Sequence, residues 1–341
     1  MARRRYHQLD FLRALACFMV VAFHYLYRGQ LEAWVPFTGP VALLPLLKFG
    51  YLGVQLFFAI SGFVIFLSIE GATPRSFVAS RAARLYPAFW ASIILTTVAV
   101  RGGNLPSLLV PWADVLINFS MVPHWFGAEF VDMAYWTLAV ELHFYIMVWL
   151  LLELDLIRLS KIMMSGWLLL SLGNLLRPVY PLEFVLEVRW APFFCIGICT
   201  YLMHRGDEGR LVRGIFIGAA LLAIAYGGAQ VAKSKTFTGL DMLTSTVVTS
   251  AIAVVFWLIS RDQFKIRPNP VLYWAATLTY PIYLLHEYIG YVTMTALWRE
   301  GLPATVCVSG AVAFVLSLAY ILHRWVERPL SVVIRGAVAG A

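Results

Sequence analysis

Long, almost uncharged runs of apolar residues alternate along the chain with short stretches where Arg, Lys, Pro and Gly gather. About ten such runs can be read. They extend approximately over 10–28, 50–69, 85–101, 134–153, 162–176, 188–203, 212–230, 240–260, 270–293 and 303–323. A hydrocarbon core is crossed by roughly 20 apolar residues in helical form. Helices are the expected state because no water is present there to satisfy backbone N–H and C=O groups. The pattern predicts an all-α, polytopic membrane bundle of about ten transmembrane helices. It forms one domain over 1–335, with a short tail, 336–341.

The stretches between the runs are too short to fold alone. The longest outer loop, 102–133, carries Pro106, Pro111, Pro123 and several aromatics. Its part from Val110 to Val122 suits a short amphipathic helix lying in the interface, a natural cover for an outward-facing acceptor site. Two further outer stretches run from Arg177 to Arg189, with Glu183 and Glu187, and from Lys233 to Asp241. The start, with Arg3, Arg4 and Arg5, has the charge of a signal peptide. However, the apolar run behind it contains Asp10, Arg13 and His24 and has no small-residue cleavage site, so it is read as the first membrane helix.

Composition agrees with bilayer as solvent: 61% of residues are hydrophobic and 13% charged, and mean hydropathy is +0.79. An inside N-terminus places Arg75, Arg81, Arg84, Arg158, Lys161, Arg205, Arg210, Arg213, Arg261, Lys265, Arg267, Arg324, Arg328 and Arg335 on the cytoplasmic side. This cationic excess predicts both termini inside. The same distribution accounts for the net charge of +8. The cations are spread over membrane-flanking loops instead of forming one stripe, so no nucleic-acid partner is expected. Cys17, Cys195, Cys199 and Cys307 all fall in apolar runs and read as packing residues, with no metal site expected.

Ionisable groups inside a membrane helix cost several kcal/mol unless they pair or face a wet cavity. The first run carries both Arg13 and His24. Eleven positions make nearly three helical turns, so the two share a face and lie ~16 Å apart along the axis. A guanidinium near the cytoplasmic end and an imidazole in the outer half suit a thioester donor entering from inside. His24 then reads as a general base for an acceptor hydroxyl; the alternative is a buried histidine satisfied by a neighbour.

Counting ~1.5 Å per residue from each helix start places Glu141 and His286 level with His24. Glu141, with Tyr145 one turn below, is expected either to orient His24 or to bind a sugar, or else to form a structural ion pair. His286, next to Glu287 and after Pro281, is expected to support the site or to pack. Ser61 and Gly62 allow close helix approach, with Ser61 also able in principle to carry an acyl group. Arg81 and Arg84 are either forked donors for phosphate oxygens or ordinary cytoplasmic anchors.

Taken together, these motifs resemble the bacterial membrane acyltransferase 3 family over nearly the whole chain. Leu9 to Arg13 resembles the family's leading Leu-Asp-x-Leu-Arg, and Arg13 and His24 its arginine and histidine with ten residues between. Gly53 to Phe63 resembles Gly-Val-x-x-Phe-Phe-x-x-Ser-Gly-Phe, and Arg81 and Arg84 its Arg-x-x-Arg. Trp136 to Tyr145 resembles Trp-Ser-Leu-x-x-Glu-x-x-Phe-Tyr, with Thr137 in place of serine. Tyr280 to His286 and Glu327 to Pro329 resemble two late motifs.

The resemblance implies transfer of an acyl group, acetyl in the simplest case, from cytoplasmic acyl-CoA. The acceptor is a hydroxyl of a glycan, glycolipid or small hydroxylated compound at the outer side of a bacterial inner membrane. His24 and Glu141 would be catalytic, and Arg13, Arg81 and Arg84 would bind the donor. Asp10, Ser61, Trp136, Tyr145 and His286 would support the site or its substrates. The rival expectations are a transporter or flippase, since polar groups at one depth also describe a translocation path, and a non-catalytic membrane scaffold.

Overall fold

The computed structural model describes residues 5–37, 44–103, 105–233 and 238–339. Arg3 and Arg4, part of the Lys233–Asp241 stretch and the last two residues of the tail lie outside them. The described residues contain helices and no strands.

The main helices are α1 (His7–Phe23), α2 (Leu52–Ile69), α3 (Pro74–Gly102), α4 (Trp112–Asn118), α5 (Trp136–Glu153), α6 (Ser160–Leu176) and α7 (Ala191–His204). They continue as α8 (Arg210–Lys233), α9 (Gly239–Ser260), α10 (Pro270–Leu285), α11 (Glu287–Arg299), α12 (Ala304–Leu322) and α13 (Arg328–Ala339). Their ends obey local chemistry. Proline occupies the first positions of α3 and α10, where its missing N–H costs nothing. Thr238 and Asp241 form a capping box at the start of α9, with Asp241 Oδ2 accepting from Thr238 N at 2.6 Å.

Eight helical stretches among the described residues are long and apolar enough to cross a membrane: His7–Leu31, Leu52–Ile69, Pro74–Gly102, Met133–Glu153, Ile157–Leu176, Arg210–Ala232, Gly239–Ser260 and Ala304–Ile334. Two of the expected spans differ. The segment 188–203 is the 14-residue α7, only ~21 Å long, and 270–293 is two helices, α10 and α11, broken at His286. Helix α3 begins at Pro74, well before the expected 85, so Arg81 and Arg84 sit on it. Along the spans many exposed side chains are apolar, among them Phe18, Val98, Leu169, Leu221 and Val254. This is the pattern of a surface facing lipid.

The chain forms two compact units. The first comprises Met1–Ala16, Leu52–Pro74 and His143–Tyr273. Its centre is the approach of α2 to α7, where a Cβ on Gly62 would strike the Phe194 carbonyl and one on Gly197 would strike the Ala59 carbonyl. These glycines let backbones meet directly, so Gly62 serves helix packing. Phe144 stacks on Phe194 at 4.2 Å between centroids, with Trp167 completing the layer. His143 Nδ1 lies 2.7 Å from Glu187 Oε1. Several cations used in the topology argument are paired within this unit. Arg205 binds Glu70 at 2.9 Å, Lys161 binds Asp207 at 2.5 Å, and Arg213 and Arg261 both bind Glu208.

The second unit comprises Cys17–Tyr51, Arg75–Leu142 and Trp274–Ala341. Its core gathers Tyr25, Val35, Phe37, Val100, Leu108, Tyr288, Tyr291, Met294, Cys307 and Ala311. All four cysteines are unpaired and buried. The loop from 102 onward carries α4, with Trp112 and Leu116 exposed and Asn118 buried. Asn118 Nδ2 donates to the Glu129 carbonyl at 2.8 Å and its Oδ1 accepts from Val131 N at 3.1 Å, folding the loop onto itself.

Candidate active site

Within the second unit two departures from regular helix meet. At the end of α1 the chain widens into a π-helical turn, His24–Arg28, in which Gly29 N–H reaches back to the His24 carbonyl. Such turns insert a residue and re-aim side chains, and they recur at functional sites. Here Gly29 is required: a Cβ on it would lie 2.7 Å from the Tyr291 ring and 2.8 Å from Val35 Cγ2. The Gly29 carbonyl accepts from Trp34 N and Val35 N at 2.8 and 2.9 Å, anchoring the next turn.

The second departure is the break between α10 and α11. Pro281 lies inside α10, where it removes one helical hydrogen bond, and the helix stops four residues later. Backbone groups at the break find side-chain partners. Tyr135 Oη donates to the Leu284 carbonyl at 3.1 Å, and Tyr25 Oη donates to the His286 carbonyl at 2.8 Å. Fully buried Asp132 accepts from Tyr288 N at 3.0 Å and from Ala134 N at 2.9 Å, so one carboxylate holds the first turn of α11 against the start of α5. Tyr25 can come this close because residue 290 is glycine; any Cβ there would collide with its ring.

These breaks bring two imidazoles together. His286 Nε2 is 3.1 Å from His24 Nδ1, and the ring centroids are 4.9 Å apart at 68°. His24 Nδ1 also lies 2.9 Å from the Val20 carbonyl, and His286 Nδ1 lies 2.8 Å from the Tyr283 carbonyl. Carbonyl oxygens only accept, which assigns the protons. His286 carries its hydrogen on Nδ1 and accepts at Nε2, and His24 carries its hydrogen on Nδ1. The remaining nitrogen, His24 Nε2, holds a free lone pair.

His24 Nε2 is 3.5 Å from Glu287 Oε2, and Glu287 Oε1 is 3.8 Å from Arg28 Nη1. Glu287 and His286 are wholly buried and His24 is 6% exposed, so the charges interact through a medium that screens them poorly. Among the described residues neither oxygen of Glu287 has a hydrogen-bond partner.

The expected site residues divide between the two units. His24, Arg81, Arg84, Trp136, Glu141 and His286 belong to the second unit, and Asp10, Arg13, Ser61 and Tyr145 to the first. His24 and His286 are in direct contact. The carboxylate beside His24 is Glu287 and not Glu141, which is half-buried on α5. The depth estimate assumes unbroken helices, whereas the π turn and the break at His286 select a different neighbour. Arg84 is exposed, 5.9 Å over the Tyr280 ring, and Arg81 donates to Ser80 Oγ at 3.0 Å. Asp10 is buried and holds Arg5 at 2.5 Å, Arg13 at 3.5 Å and His7 at 3.8 Å, so Arg13 sits in a cluster with excess positive charge. Ser61 and Tyr145 are buried, and Trp136 is half-buried.

Sequence reasoning passes over Arg28 and Asp132. Arg28 stands at the end of an apolar run, where an anchor is ordinary, and Asp132 stands in an outer loop, where an acidic residue is ordinary. Glu287 enters the sequence pattern only as the neighbour of His286.

The chain is 28% identical over 286 residues to "Nodulation protein 10" of Rhizobium leguminosarum bv. viciae, an alignment covering 74% of this chain and 75% of that protein. It is 25% identical over 300 residues to "Exopolysaccharide production protein ExoZ" of Rhizobium meliloti (strain 1021), covering 82% and 89%. No solved structure matches. The family model described as an acyltransferase domain matches residues 6–324, and the chain, a multi-pass membrane protein, therefore belongs to the acyltransferase 3 family.

Proposed function

We propose that the protein transfers an acyl group, acetyl in the simplest case, from cytoplasmic acyl-CoA to an acceptor hydroxyl at the outer side of a bacterial inner membrane, with His24 as general base. The observation that carries this reading is the hydrogen-bond pattern around His24. His286 and the Val20 carbonyl both occupy its Nδ1, leaving Nε2 to take a proton. A base in this state contributes about 10²- to 10⁴-fold. The imidazolium it becomes has Glu287 Oε2 3.5 Å from the nitrogen that takes the proton, where an opposite charge favours the charged form. Glu141 is then assigned to the acceptor, as a carboxylate able to receive sugar hydroxyls.

Arg81 and Arg84 are assigned to the acyl-CoA phosphates, since forked guanidinium donors match phosphate oxygens. The excess positive charge around Asp10 favours an anion near Arg13. The relatives, one named for exopolysaccharide production and one for nodulation, support a glycan, glycolipid or small hydroxylated acceptor.

The test uses purified full-length protein in lipid nanodiscs with radiolabelled acetyl-CoA, reading label in free acetate and in added glycan oligosaccharide. Wild type is expected to turn over, and His24→Ala to fall to background while remaining folded. Undiminished turnover by His24→Ala would remove the general-base role. Mass spectrometry of surface glycans with and without the gene identifies the acceptor.

A further inference from the structure

Three arginines of the first unit close tightly on carboxylates. Arg261 Nη1 lies 2.9 Å from each oxygen of Glu208, Arg213 reaches the same carboxylate at 2.7 Å, and Arg205 reaches Glu70 at 2.9 Å. These are the distances of charge-assisted hydrogen bonds. Arg28 behaves differently. It stands 3.8 Å from Glu287 Oε1, beyond hydrogen-bonding range, and its side chain is 25% exposed. Its other contact is with the face of Trp34, 5.6 Å from the ring centroid. Among the described residues, its N–H donors make no hydrogen bond.

A guanidinium held without hydrogen bonds to the described residues keeps its donors for an incoming group. Its position says what that is. Arg28 closes the π turn that opens with His24, and the two side chains flank opposite oxygens of one carboxylate. A thioester carbonyl attacked by a hydroxyl beside His24 Nε2 would be within reach of Arg28.

We propose that Arg28 is a catalytic residue whose N–H groups stabilise the oxyanion of the tetrahedral intermediate. The assignment rests on the general-base reading of His24. The acceptor oxygen forms a bond to the thioester carbon as its proton passes to His24 Nε2, and the carbonyl electron pair moves onto oxygen, where Arg28 donates to it. Collapse re-forms the carbonyl and breaks the C–S bond, and the thiolate takes the proton back from His24, leaving ester and free CoA thiol. Arg28 and the imidazolium then balance two negative centres, the oxyanion and Glu287. In this role Glu287 keeps Arg28 extended toward the reacting carbonyl without capturing its donors.

The test measures acetyl-CoA hydrolysis with water as acceptor, alongside transfer to glycan oligosaccharide, for Arg28→Lys and Arg28→Gln in nanodiscs. Loss of an oxyanion donor lowers kcat on the order of 10²-fold or more. That loss is expected in both reactions, with the KM for acetyl-CoA within about twofold of wild type and partial return of kcat on adding guanidinium ion to Arg28→Ala. If Arg28 only held an anionic group of the acceptor, hydrolysis would keep its rate and only the acceptor KM would rise; that result overturns the proposal. So does wild-type turnover by both Arg28 variants, which leaves the His24 reading standing if His24→Ala is inactive. A wild-type protein without any turnover overturns both.

Discussion

Each unit contains a buried histidine next to a glutamate, and the two pairs are built to opposite specifications. In the first unit His143 Nδ1 meets Glu187 Oε1 at 2.7 Å. This closed bond fastens α5 to the segment before α7. Glu187 adopts a left-handed backbone conformation, φ +48°, which costs an L-residue roughly 1–2 kcal/mol, and the bond to His143 helps hold it there. In the second unit His24 and Glu287 stop at 3.5 Å, and neither Glu287 oxygen has a hydrogen-bond partner among the described residues. A satisfied pair stabilises a fold. A pair left open, as at His24 and Glu287, fits the proposed reading, in which the nitrogen and the charge serve chemistry.

Substitution of the two pairs tests this contrast directly. The largest effect is expected at His24→Ala, with kcat lowered by about 10²- to 10⁴-fold, whereas His143→Ala should retain kcat and lose stability. Next comes Glu287→Gln, which preserves shape and removes the charge opposite the imidazolium. Its kcat should fall on the order of 10²-fold, as for the loss of one electrostatic stabiliser, with little change in the unfolding midpoint. Retention of more than half the turnover would place Glu287 with Glu187 as a structural carboxylate.

Arg81→Ala combined with Arg84→Ala should raise the KM for acetyl-CoA about tenfold, equivalent to ~1.4 kcal/mol of lost binding, and spare kcat; a changed kcat with unchanged KM would remove the arginines from the donor site. For His143→Ala itself, leaving Glu187 buried without its partner should cost about 1–3 kcal/mol, read from thermal unfolding in nanodiscs.

The smallest effect concerns pH. Burial pushes the Glu187 carboxyl above its ordinary value, with His143 pulling the other way. The native state therefore holds that proton more tightly than the unfolded chain, and stability falls as pH rises through the range above the ordinary glutamate value. Glu187→Gln should flatten that dependence, and an unaltered slope would assign it to another group.

Much of this can be read from residue order. Apolar run length indicates a helical membrane protein, and the spacing from Arg13 to His24 singles out the imidazole. Counting rise per residue also brings His286 level with His24. The features that escape are consequences of irregular backbone. Arg28 and Glu287 acquire meaning only through the widened turn at His24–Arg28 and the break at His286, and neither leaves a periodic signature. Pro281 signals a kink, but the helix ends at Leu285. Asp132 caps its own turn through Ala134 N and also a helix remote from it in sequence, and only the first of these is a local pattern. Helix α7 is shorter than its apolar run suggests, because such a run reads alike whether it faces lipid or, as here, is enclosed by its own unit.

The widened turn also sets a rule for editing the chain. Removing one residue between positions 24 and 28 would let the segment relax into ordinary α-helix, because the Gly29 N–H would then reach the His24 carbonyl across four residues instead of five. Gly29 would keep its slot beside Tyr291, while the side chains inside the turn would lose the directions that the wider winding gives them, Tyr25 with its bond to the His286 carbonyl among them. Length here thus sets where side chains point: a deletion that spares every named residue would still turn those within the widened segment.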